Sequence, residues 1–431
     1  MKTLYICYFG VRESLVQTQV IPYLRELVRD AEDLTPRQPK AAATSPYQEG
    51  ELNEISLLTF EPDFKKKWTE KQIGEMRERL AEQRIDWHYL PYHKRPSALA
   101  TAWDILRGTI RVWRLNRRER FDVLHCRVHV PGVMADIART FSSHKPKILF
   151  DIRGFFPEEF VDAGIWPADG TIYRTAKRIE KRLMKVSDGF VVLTEKARDI
   201  LFPESHETGF DKHGRPVEVI PCCVDLERFA DADANQRNVI RNELGINERK
   251  VFVYVGSFGG WYLTDEMIDL FAAARDRDPS SFALILTQRD KENIVKILRE
   301  RGFAENDFFV GSVPSGEVPR YLSASDVAIS FIKACYSKQS SSPTKLAEYL
   351  ACGLPIIANR GVGDVDELIE KNGVGVLVDG FDKASYLSAM KKIDELGDVA
   401  EKCRETAYRE FDLETVGGVG YRRAYRRLIS S

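Results

Sequence analysis

SSSPTKLAEYLACGLPIIANRGVGD, residues 340–364, reads in order as loop, helix, strand and glycine turn. Ser342 is placed to cap the helix, Pro343 suits its first position because proline has no N–H to leave unpaired, and Gly353 ends it. An apolar strand, Val327–Ser330, precedes the segment, and another, Leu354–Ala358, follows the helix. Strand, helix and strand make a parallel βαβ unit whose helix starts at the carboxyl edge of the sheet, where open α/β sheets bind ligands. The unpaired N–H groups of a first turn suit a diphosphate, and Thr344 lies among them. Lys345 sits in the same turn, where a cation beside the positive helix pole is unfavourable unless an anion neutralises it. Glu348, three residues on, shares that face and can accept two hydrogen bonds from vicinal ribose hydroxyls. The alternative is a capped surface helix with a Lys345–Glu348 ion pair worth about a few tenths of a kcal/mol. Past the second strand, Gly361, Gly363 and Asp364 form either a plain turn or a close backbone approach to a sugar.

The same alternation runs through the whole chain. Strands are expected at Thr3–Tyr8, Glu54–Thr59, Ile85–Leu90, Val123–Cys126, Ile148–Ile152, Gly189–Leu193 and Val217–Ile220. A second series follows at Val251–Gly256, Ala283–Thr287, Asp307–Val310, Val327–Ser330, Leu354–Ala358 and Gly375–Val378. Polar sequence from Pro221 to Asn247, with one short helix near Asn235–Leu244, separates the two. We therefore expect an α/β protein of two doubly wound domains, 1–221 and 222–410, with a hinge near Pro221–Arg228. Residues 35–50, rich in proline, alanine and polar side chains, read as a mobile loop.

With 431 residues, 43% hydrophobic and 30% charged, the chain has material for two cores. Its 64 basic and 65 acidic side chains give no overall attraction to nucleic acid, so an anionic partner must be met locally. The seven cysteines show no CxxC spacing and no histidine pair shares a helical face, so no metal is expected. Without a secretory leader or a long apolar run, the protein is expected in the cytoplasm.

The 340–364 segment resembles the donor motif of the family 4 retaining glycosyltransferases of GT-B fold, roughly Pro-x-Lys-x-x-Glu-x-x-Ala-x-Gly-x-Pro, here Pro343, Lys345, Glu348, Ala351, Gly353 and Pro355. GFVVLTEKARDIL at 189–201, VIPCCVDLERF at 219–229, VFVYVGSF at 251–258 and FFVGSVPSGEVPRYLSASDVAIS at 308–330 resemble the family in the same order. The resemblance implies transfer of a sugar from a nucleotide-diphosphate sugar to a saccharide or lipid-linked acceptor, with retention and without metal. It also implies that the donor lies on Ser257, Ser342, Pro343, Thr344, Lys345, Glu348 and Gly363, and that the loop after the first strand, with Gly10 and Ser14, nears the phosphates. The final residues, 411–431, would form a helix that returns to the first domain.

Two departures stand out. Ser340 occupies the place of the usual first glutamate, and GSFGGWYL at 256–263 lacks the usual Arg and Lys. Phosphate neutralisation then falls to Lys345 and to Arg289 after the second strand of the second domain, although Arg289 also suits a solvated helix start. Trp261 and Tyr262 either stack on a base or sugar or belong to the core. Arg127 stands where the family often has histidine, and Arg153, with Glu158 and Glu159, follows the next strand; each meets phosphate or acceptor, or is structural. A catalytically degenerate nucleotide-binding or scaffolding subunit is the alternative function.

ALATAWDILRGTIRVWRLNRRERF, residues 98–121, is an arginine-rich amphipathic helix with an apolar face that includes Trp103 and Trp113. It reads foremost as a solvated helix covering the sheet, and otherwise as a contact with an anionic membrane.

Overall fold

The structure, a computed structural model, describes residues 1–29, 54–95, 97–230, 232 and 234–430, the side chains of Ser97 and Ala234 aside. The segment 35–50 lies outside them. The first sheet is built from β1 (Lys2–Cys7), β2 (Glu54–Pro62), β3 (Ile85–Tyr92), β4 (Val123–Arg127), β5 (Lys147–Ile152), β6 (Gly189–Val192) and β7 (Val217–Val219). The second contains β8 (Val251–Val255), β9 (Phe282–Leu286), β10 (Phe308–Gly311), β11 (Val327–Ser330), β12 (Ile356–Asn359) and β13 (Gly375–Val378). All ladders are parallel, in the orders β3-β2-β1-β4-β5-β6-β7 and β10-β9-β8-β11-β12-β13.

These orders follow from composition. A parallel sheet is covered by crossover helices on both faces, so its strands must be apolar at successive positions rather than alternate ones. Phe282–Leu286 (FALIL) is buried at all five residues, as is Val123–Arg127. Each order reverses beside its first strand, β1 against β4 and β8 against β11, which opens a crevice at the carboxyl edge of each sheet.

Two crossings join the halves side by side. Val224 donates to Phe411 O (2.9 Å), and Leu413 donates back to Val224 O (3.0 Å). The expected continuous helix over 411–431 is corrected here. One helix ends at Phe411, Asp412 receives the Thr415 N–H, a wide turn spans Leu413–Gly418, and a second helix runs Val419–Ser430. The pairing with Val224 extends the backbone at that point, and no local signal announces it. The last helix lies on β5, β6 and β7, where Tyr421 Oη donates to Asp151 (3.0 Å) and Tyr425 Oη meets His125 Nδ1 (2.8 Å).

Candidate active site

The helix from the opening segment spans Thr344–Ala351, with Pro343 extended at its N-cap and Gly353 beyond its end at φ +76°. Ser342 does not cap it. Its hydroxyl instead accepts Cys222 N at 3.0 Å, tying the helix start to the domain crossing. The helix is fastened to β8 and β11 by Tyr349, whose hydroxyl accepts Val255 N (2.8 Å) and donates to Ile329 O (3.4 Å).

Lys345 is buried and points to the end of β8. Its Nζ donates to Tyr254 Oη at 3.1 Å and lies 4.2 Å and 4.4 Å from the ring centroids of Tyr254 and Tyr262. Gly256, at φ +142°, leaves the space this needs, since a Cβ there would stand 2.8 Å from Nζ. Burial pulls the Lys345 pKa down to about 7, with Glu348 opposing the shift. No ion pair joins the two among the described residues. Burial raises the pKa of Glu348, while Arg228 and Lys345 hold it down. An aromatic-walled ammonium and a largely desolvated carboxylate thus stand one turn apart at a helix N-terminus. Chemically, such a cation can pair with an anion and such carboxylate oxygens can accept from hydroxyls.

The remaining expected positions divide. Pro343 and Thr344 form the helix start, and Ser257, exposed after β8, receives the Tyr254 hydroxyl on its carbonyl. Gly363 donates to Lys338 O at 2.8 Å, and a Cβ there would lie 2.1 Å from Ser341 O, so its close approach is to the loop leading into the helix. Arg289 is exposed beyond β9. Gly10 packs against Pro62 and Glu61, while Ser14 is exposed at the start of the helix Ser14–Gln19.

Arg127 and Arg153 are turned inward. Arg127 bonds Gln19 O (3.2 Å) and Tyr5 Oη (3.4 Å), and Arg153 bonds Gln19 Oε1 (3.3 Å) and Tyr421 Oη (3.4 Å). Both flank the buried Asp151, at 3.9 and 3.7 Å. Burial alone would raise that carboxyl, but Arg153, His125 and Arg127 hold it at about 2. A buried carboxylate needs such cations, and their chain partners come from four separate segments.

Several contributors carry no sequence signal. Tyr254 lies inside the core-like run VFVYV, yet forms one wall around Lys345. Across the domains, Lys338 Nζ stands 2.9 Å from Glu159, Ser337 N donates to Asp162 (2.9 Å), Phe155 N to Ser340 Oγ (3.0 Å), and Glu195 N to Asp364 (2.7 Å); within the second domain Lys338 Nζ also lies 4.1 Å over the Trp261 ring. Ser340, where the usual glutamate is missing, is thus 1% exposed and engaged in joining the domains.

Two Rossmann-like domains, on parallel sheets of seven and six strands, make the GT-B architecture. Residues 236–410 match the family described as glycosyl transferases group 1, and residues 71–228 match glycosyltransferase family 4. The chain belongs to the family 4 glycosyltransferases. No curated protein sequence matches it. Among solved structures it is similar to Anabaena HepE in complex with UDP (TM-score 0.64, 14% identity, 100% of each chain covered). A glycosyltransferase from Rickettsia africae (0.66, 14%, 100% of this chain and 99% of that one) and the sucrose-phosphate synthase of Thermosynechococcus elongatus (0.65, 14%, 100% and 99%) are also similar. At such identity the likeness concerns the fold.

Proposed function

We propose that the protein is a cytoplasmic, metal-independent glycosyltransferase that moves a hexosyl group from a nucleotide-diphosphate sugar to a saccharide or lipid-linked acceptor with retention. The observation that carries the reading is Lys345, a buried lysine held between two tyrosine rings at a helix start, without a carboxylate bonded to it among the described residues. A diphosphate arriving there supplies the missing counter-charge. Lys345 and the helix N–H groups stabilise the leaving phosphate as the glycosidic bond breaks. Glu348 takes the ribose hydroxyls, and UDP, the ligand of the HepE complex, is the first nucleotide to try.

Retention is read as front-face transfer, in which a phosphate oxygen of the leaving group takes the acceptor proton. The two-carboxylate scheme of glycosidases is not invoked. Because Lys345 and the helix supply the neutralisation, turnover is expected to be unchanged by EDTA.

Titration calorimetry with UDP, GDP, ADP and CMP tests the site. We expect one nucleotide family to bind, and Glu348→Ala to weaken it by roughly 10- to 100-fold, the loss of about 1.5–3 kcal/mol in charged hydrogen bonds. Absence of binding by every nucleotide would overturn the reading. Tight binding without release of nucleotide from any nucleotide sugar would favour a scaffolding subunit.

A further inference from the structure

The helix Ser97–Glu119 buries a different face from the one its sequence suggests. Ala100, Asp104, Val112 and Leu115 face the sheet, whereas Leu99 (72% exposed), Trp103 (51%), Leu106 (51%) and Ile110 (40%) form a row open to solvent. These four recur at helical spacing and share one stripe. Beside the stripe, rotated by about a quarter turn at 100° per residue, stand Arg107, Arg111 and Arg114.

Those arginines border a cavity of about 530 Å³ between the helix, the edge strand β3 and the helix Glu70–Ala81, which adds Arg77. Arg77, Arg107 and Arg114 form no ion pair with the described residues. Arg111 Nη2 lies 3.3 Å from His88 Nδ1, and the other His88 nitrogen is 3.1 Å from Asp86. Arg111 Nε is buried without an acceptor. The cavity lining thus carries four guanidinium groups and no carboxylate, while Asp86 stands outside it against His88. Burial first, and then the like charges of Arg118 and Arg114, push the Arg111 pKa below its ordinary value.

We propose that this face docks on an anionic phospholipid bilayer, with a lipid phosphate in the arginine cavity and the Leu99–Ile110 row at the boundary of headgroups and acyl chains. Charge complementarity selects the anion, and the apolar row selects its source, because a free phosphate would leave four apolar side chains in water. The placement also suits transfer at a membrane. Tyr8, just past β1, donates to Asp104 of this helix at 2.9 Å, which connects the docking face to the carboxyl edge of the first sheet. The inference extends the acceptor part of the proposed function but stands apart from the donor site.

The test is flotation of the full chain with vesicles of phosphatidylcholine alone or mixed with phosphatidylglycerol. Wild type should float only with the mixed vesicles and lose binding as salt rises. Partitioning should weaken roughly fivefold per arginine replaced in Arg107→Gln, Arg111→Gln and Arg114→Gln, the equivalent of about 1 kcal/mol each. Leu99→Ser with Trp103→Ser should weaken it separately, and unchanged urea midpoints would establish that all variants are folded. Failure of wild type to float with mixed vesicles, equal flotation by the arginine variants, or binding of glycerol 3-phosphate without vesicle binding would each overturn the proposal. Nucleotide calorimetry on the same variants reads the donor site independently.

Discussion

Replacing Lys345 by methionine should stabilise the protein without ligand while abolishing its response to nucleotide. The side chain is buried, and that burial lowers its pKa from 10.5 to about 7. The unfolded chain therefore binds a proton more readily than the folded one. For a lysine with a depressed folded value, stability rises as pH increases from about 7 to about 10.5 and is lowest, and flat, below that window. At pH 7 the shift corresponds to a cost on the order of 4 kcal/mol. Methionine keeps the volume and the contact with the Tyr254 and Tyr262 rings while removing the charge. Urea unfolding at pH 7 should show Lys345→Met to be more stable than wild type by about 1–4 kcal/mol, the difference shrinking toward pH 10. Saturating nucleotide should stabilise wild type, by about 2.7 kcal/mol at 100 times its dissociation constant, and leave the variant unmoved. A variant less stable than wild type at pH 7, or one that still responds to nucleotide, would refute the assignment of Lys345 as a charge waiting for phosphate.

Two further substitutions probe the space beside Lys345 and the buried charge cluster of the first domain. Gly256→Ala places a Cβ 2.8 Å from the Lys345 Nζ at φ +142°, so we expect a loss of about 1–3 kcal/mol in urea unfolding together with weaker nucleotide binding. Asp151→Asn removes the carboxylate between Arg127 and Arg153 and should cost about 3–5 kcal/mol at pH 7. Because the Asp151 pKa is depressed to about 2 from 3.8, its contribution is present above pH 4 and is lost as the pH falls toward 2, so the acid limb of the wild-type stability curve should flatten in the variant.

Much of the fold was legible because buried parallel strands are continuous apolar runs. Each of the thirteen expected strands has its counterpart, with limits within two residues of those expected except for β2, which runs three residues further, to Pro62. The placement of Lys345 in the first turn of its helix was legible for another reason: a cation there conflicts with the helix dipole, and such a conflict asks for a counter-charge. Contacts between distant segments were not. Tyr254 looks like any core residue of β8, and Ser342 carries the sequence of a helix cap while its hydroxyl is engaged by Cys222 across 120 positions. Arg127 and Arg153 follow strands, as ligand-binding arginines do, but Asp151 claims both internally. On Ser97–Glu119 the apolar spacing was visible, yet sequence periodicity does not tell which of two apolar-containing faces meets the sheet. Small residues at Ala100 and Gly108 allow the close packing that leaves Trp103 outside.

The most direct test of the donor site is an experimental structure of the protein with the nucleoside diphosphate that calorimetry selects. We expect the phosphates at the start of the Thr344–Ala351 helix beside Lys345 Nζ and both ribose hydroxyls on Glu348; a nucleotide bound elsewhere, with Lys345 still enclosed by Tyr254 and Tyr262 and touching no phosphate, would contradict it.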